Sequence, residues 1–108
     1  MATARSFITE TFTGAASIGQ NVLEVRGDSA FKLKYLAIQI TGNFSGTIRL
    51  ETSMPNANTW ALVQNGTFTL AGTDGISTIA QVAADEDVRL NCTALAAGTA
   101  NCVVRVMN

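Results

Sequence analysis

Two cysteines, Cys92 and Cys102, and an acidic run, Asp85-Glu86-Asp87, are the residues whose types and spacing could do chemistry. A thiol can act as a nucleophile or a metal ligand, but as a nucleophile it needs a base beside it, and the chain contains no histidine. That absence argues against Ser-His-Asp and Cys-His hydrolases, zinc hydrolases and the commonest general base together. Two cysteines without histidine also fall short of the four ligands of a structural zinc site. A glycosidase needs only two carboxylates flanking one bond. Three consecutive acids cannot all converge on one sugar, and Asp74 falls in a turn while Glu24 and Glu51 fall on the polar faces of strands. Asp85 and Asp87 with backbone carbonyls have the oxygen chemistry of a calcium site, although a solvated corner is the simpler reading. The glycines form no GxxxxGK[ST] phosphate loop and punctuate turns instead. No catalytic residue, metal site or cofactor is expected.

The elements that would position these residues are strands. The chain has 108 residues, 14% charged and 47% hydrophobic, enough apolar surface for one packed domain. A formal net charge of -1 supplies no electrostatic footprint for nucleic acid or an anionic membrane. No apolar run reaches the ~18 to 20 residues of a spanning helix. The start, MATARSFITETF, lacks the apolar core of a secretory signal, so the chain is expected to stay inside the cell or in something assembled there.

Apolar residues recur at period two, and β-branched side chains suit a pleated surface. Leu36, Ile38 and Ile40 share one face of KLKYLAIQIT, while Ile48 and Leu50 oppose Arg49 and Glu51 in TIRLET. A turn at GNFSG would set Ile40 opposite Ile48 and Ile38 opposite Leu50. TWALVQ should run back along TIRLET, and Asn65-Gly66 carries the strongest two-residue hairpin signal in the chain. GTDG makes a further turn before ISTIAQV. The reading is an all-β fold, an antiparallel β-sandwich of about eight strands for which a jelly-roll is one fitting topology.

The cysteines fall in VRLNCTALAAGTANCVVRV. A hairpin turning at Ala96, Ala97 and Gly98 would set Val88 against Val106, Leu90 against Val104 and Cys92 against Cys102, with Arg89 and Arg105 on the outer face. Directly opposed antiparallel residues meet the geometry of a disulfide. A reducing cytosol favours two buried thiols acting as small hydrophobes.

Aromatic residues are 6% of the chain, a thin supply for a stacking platform. Trp60 reads as a core anchor ahead of a ligand platform, with Tyr35 the other candidate for the latter. Phe44, at the tip of GNFSG, is an apolar ring that a partner could bury. Met1, Ala2, Thr3, Ala4, Arg5 and Ser6 are mostly small and would not pack alone, so residues 1–13 read as an extended docking arm on a single domain spanning residues 1–108.

In IRLETSMPNANTWALV and ADEDVRLNCTALAAGTANCVVRV the chain resembles the small β-sandwich virion proteins of tailed bacteriophages. It is similar in pattern to capsid decoration (cement) proteins and related head or tail components. The likeness lies in a strand ending Glu-Thr-Ser, a turn before Thr-Trp, and a final segment from Val-Arg-Leu-Asn to Val-Val-Arg-Val, and covers roughly the second half. The resemblance implies a non-enzymatic structural protein of the virion, assembled in the host cytoplasm. Its implied partners are the major capsid protein on the outer face of the head and further copies of itself, as a homotrimer. A carbohydrate- or receptor-binding module of a capsid or tail fibre, or a head–tail or tail component, are the alternatives.

Overall fold

The computed structural model describes residues 7–25, 33–54, 59–73, 75–83 and 86–107. They form eight strands and no helix: β1 (Phe7–Thr13), β2 (Ser17–Ile18), β3 (Leu23–Glu24), β4 (Leu33–Thr41), β5 (Phe44–Ser53), β6 (Ala61–Gly72), β7 (Ile76–Ala83) and β8 (Asp87–Met107). Every pairing is antiparallel. The first sheet runs β1-β8-β4-β7, using the C-terminal half of β8. The second runs β6-β5-β8, using its N-terminal half, with the short β2 and β3 on the far side of β8. The expected antiparallel, all-β body is therefore present, and β8 closes it along one side into something near a barrel.

That shared strand corrects the hairpin expectation. β8 is one strand of 21 residues, with no turn at Ala96, Ala97 and Gly98. Cys92 lies beside Ile48 and Ser17, and Cys102 beside Ile40 and Glu10, so the two are not cross-strand partners. Val88 pairs with Thr52 and Leu23, Leu90 with Leu50, and Val104 with Ile8 and Ile38. The small residues that suggested a turn serve a bend. The β5–β8 register slips at Ser45/Gly46 and Thr47/Ile48, which adds local twist and turns the strand from one sheet into the other. Gly98 sits at φ 91°, and a Cβ there would collide with the Asn43 carbonyl oxygen. Only glycine tolerates both conditions.

Two more turns of the sequence reading are placed differently. β4 and β5 do not pair: β4 lies between β8 and β7, and β5 between β8 and β6. Ile40 accordingly faces Ile76 and Cys102, and Ile48 faces Phe68 and Cys92, because the chain crosses between sheets at residues 41–44. Asn65 does adopt a left-handed conformation, φ 63°, but inside the continuous β6. There the register jumps from Arg49↔Thr67 to Glu51↔Leu62, so Asn65-Gly66 sits in a bulge-like irregularity of the strand in place of a hairpin. The other expectation for this region holds, since Ala61 and Leu62 run back along Thr52 and Glu51.

The inner faces of both sheets share one apolar core, including Ile8, Leu36, Ile38 and Val104 from the first and Leu23, Ile48, Leu50 and Leu90 from the second. Each such side chain contributes roughly 1.5–3 kcal/mol by leaving water. Phe44 belongs to this core at 3% exposure, which corrects its assignment as a partner contact. Its ring has a place inside its own chain because β5 starts at the crossing, beside Gly98 and Gly72. Met1, Ala2, Thr3, Ala4, Arg5 and Ser6 lie outside the described residues, while Phe7–Thr13, the rest of the expected arm, is the β1 strand of the body.

Candidate interaction surface

Three side chains of the second sheet, Glu51, Arg89 and Asn91, form a hydrogen-bonded network on its outward face. Glu51, only 5% exposed, is not the solvated carboxylate that its polar strand position suggested. Arg89 Nε donates to its Oε1 at 3.0 Å, and Asn91 Nδ2 donates to its Oε2 at 3.1 Å. The register sets this up, because Glu51 lies directly across from Arg89, and Asn91 lies across from Arg49 two residues away. Arg89 also stacks over the Trp60 ring at 4.3 Å, a cation–π contact. Trp60 is thus half-buried under a guanidinium, outside the core cluster, and neither core anchor nor open platform describes it. Thr47 and Thr69 hydroxyls meet at 3.1 Å on the same face. Arg49 Nε is the donor here that is buried without a hydrogen-bond partner.

Other polar groups hold corners. Glu86 Oε1 accepts from the Thr52 hydroxyl at 3.0 Å and from Ala83 N at 3.3 Å, pinning the entry to β8. Glu10 Oε2 accepts from Asn21 N at 2.6 Å, and Asn21 Nδ2 donates to the Thr9 carbonyl at 2.8 Å, tying the β2–β3 excursion to β1. Among the described residues no three His, Cys, Asp or Glu side chains gather as metal ligands. Asp74 and Asp85 lie outside those residues.

Cys92 and Cys102 are free, buried thiols. Burial pushes the Cys102 thiol up to about 12, helped by the charges that Cys92 and Glu10 would carry nearby. Burial raises Cys92 as well, against lowering backbone hydrogen bonds from Ser17 and Ala94. Both stay protonated at neutral pH, the behaviour of inert core thiols.

The outer face of the first sheet differs from all of this. The cross-strand row Phe7–Arg105–Ala37–Ile79 spans its four strands, and the adjacent row is Thr9–Val103–Gln39–Ser77. Phe7, Tyr35 and Ile79 are 52%, 51% and 56% exposed, and Val103 is exposed with them. Ile18 and Val22 on the β2–β3 excursion, and Met54 and Leu62 at one end of the second sheet, are the remaining large apolar side chains exposed among the described residues. A shallow pocket of about 210 Å³ opens on the first sheet's face, lined by Ala37, Ile38, Gln39, Ser77, Val103 and Arg105. The Arg105 side chain makes no hydrogen bond or ion pair with another described residue. Arg89 and Arg105, expected to share one outer face, stand on different sheets.

Of the residues singled out from the sequence, Tyr35, Arg105 and, within the expected arm, Phe7 fall on this face. Ile79 and Val103 were missed. The available signal was broken alternation: Phe7-Ile8, Tyr35-Leu36-Ala37-Ile38 and Cys102-Val103-Val104 are apolar at both parities, as in strands covered on both faces. No known protein family matches the chain, and no curated protein is significantly similar to it.

Proposed function

We propose that this chain is a non-enzymatic structural protein of a virion, and that it acts as a capsid decoration protein that binds the outer surface of a phage head and stabilises it. The observation that carries this reading is the first sheet's outer face, where Phe7, Tyr35, Ile79 and Val103 stand exposed together. Several large apolar side chains exposed on one sheet face are the kind of surface that marks interaction sites. The strand-only body, with one bulged strand shared by both sheets, is consistent with a structural role. The titratable groups favour a structural role: both Glu51 oxygens are already occupied, and the thiols are buried. The resemblance to phage virion proteins names the setting. Many weak contacts repeated over a symmetric shell would add through multivalency.

A carbohydrate- or receptor-binding role would draw on the same face, where Tyr35 is exposed. No aromatic ring is among the residues lining its pocket to stack on a sugar face, so the structural role is preferred. The test is electron microscopy of particles made with and without the chain, alongside its mass in solution. Extra density on the outside of the head, loss of genome at lower temperature without it, and a trimeric mass are expected. Identical particles, or density confined to the tail, would overturn the decoration role.

A further inference from the structure

We propose that the pocket beside Arg105 receives a single carboxylate side chain, Asp or Glu, from a different protein, whose flanking apolar side chains cover Phe7, Ile79 and Val103. This deepens the reading above by naming what the gripping face recognises, and it rests on that face being a contact surface.

The argument begins with charge. Arg105 is the single charged side chain on the described outward positions of the first sheet; every other such position is uncharged. Arg105 stands between Phe7 and Ala37, one strand to either side, and is one of the residues lining the pocket. Gln39 and Ser77 add an amide and a hydroxyl to its wall. Five N–H donors in a planar fork match a carboxylate bidentately. Covering the surrounding apolar groups would exclude water and lower the local dielectric, which strengthens the pair.

The same charge selects the occupant. Two copies of this face brought together about a two-fold axis passing close to Arg105 would set it near its own counterpart, and like charges facing each other in an interface are strongly disfavoured. A partner bringing an anion meets no such penalty. A side chain with apolar neighbours two residues away on either side, all projecting from one face of an extended segment, matches the mixture of cation and apolar groups presented here.

The test uses the full chain and capped pentapeptides Leu-Thr-Glu-Thr-Leu, with Gln and Lys replacing Glu as controls, followed by backbone amide shifts in NMR. The Glu peptide is expected to shift Ala37, Gln39, Ser77 and Val103 and to bind at least about fivefold more tightly than the Gln peptide, the scale of one charge-assisted contact. Arg105→Gln should abolish that preference, and Arg105→Glu should transfer it to the Lys peptide. Equal binding of Glu and Gln peptides, shifts confined to the second sheet, or no shifts would each overturn the assignment. So would concentration-dependent shifts of the same residues without peptide, which would make a second copy the occupant. Particle binding separates the two levels. If wild-type and Arg105→Glu chains decorate heads equally, the pocket assignment fails and the decoration role stands. If the peptide preferences hold but neither chain decorates heads, the decoration role fails and the pocket stands.

Discussion

The outer faces of the two sheets belong to one strand, β8, yet they solve opposite problems. On the second sheet, Arg89 finds Glu51 and Trp60 within the chain, and Asn91 takes the other Glu51 oxygen, so the charge is spent on holding β5 to β8. On the first sheet, Arg105 stands among exposed apolar side chains with no carboxylate among the described residues of its face. The second face, whose carboxylate is spent within the chain, reads as structure, although Arg49 Nε stays buried there without a partner. The first, with exposed apolar groups around an exposed charge, reads as a contact awaiting its other half. The strands differ in the same way: Val88-Arg89-Leu90-Asn91 alternates cleanly, while Cys102-Val103-Val104 does not.

Gly98→Val would remove the comparison altogether. With φ at 91° and the Asn43 carbonyl in the way, a branched side chain cannot be placed at the crossing, and the expected loss is over about 4 kcal/mol, read as failure to give a cooperative unfolding transition. A stably folded variant would mean that the bend lies elsewhere. Next in size is Glu51→Ala, which strands Arg89 in a largely buried position. It should cost about 3 kcal/mol by urea denaturation, and a cost under about 1 kcal/mol would put the second face on the same footing as an exposed ion pair.

The thiols test whether both halves of β8 line one core. Above pH 9 the unfolded chain gives up its Cys102 proton, whereas the folded chain keeps it until about pH 12. The unfolded state then binds fewer protons, so Cys102 should lower stability by up to about 1.4 kcal/mol per pH unit across that window. Cys102→Ala should flatten the slope by that share in denaturation series between pH 8 and pH 11, whatever the substitution costs at neutral pH. An unchanged slope would mean that the thiol is solvated. The smallest effect belongs to the first face: Arg105→Gln and Ile79→Ser should each change stability by no more than about 0.5 kcal/mol. A larger loss for either would mean that the face contributes to the fold and is not held in reserve for a partner.

The sequence by itself determined the strand class, because β-branched residues at period two leave few other ways to bury Leu36, Ile38, Ile48 and Leu50. It also marked where unusual backbone had to fall: Asn65 and Gly98 both carry positive φ. It did not determine what those positions do. A left-handed residue serves a hairpin or a bulge equally well locally, and the choice depends on whether the next residues pair with the preceding strand or with one far away. Phe44, Cys92 and Cys102 were misplaced for that reason, since each finds its neighbours across long stretches of chain. The tertiary structure alone decided which charges were paired. Arg89 and Arg105 look alike in sequence, each between apolar residues of one strand, and the bend at Gly98 delivers one to Glu51 and leaves the other facing out.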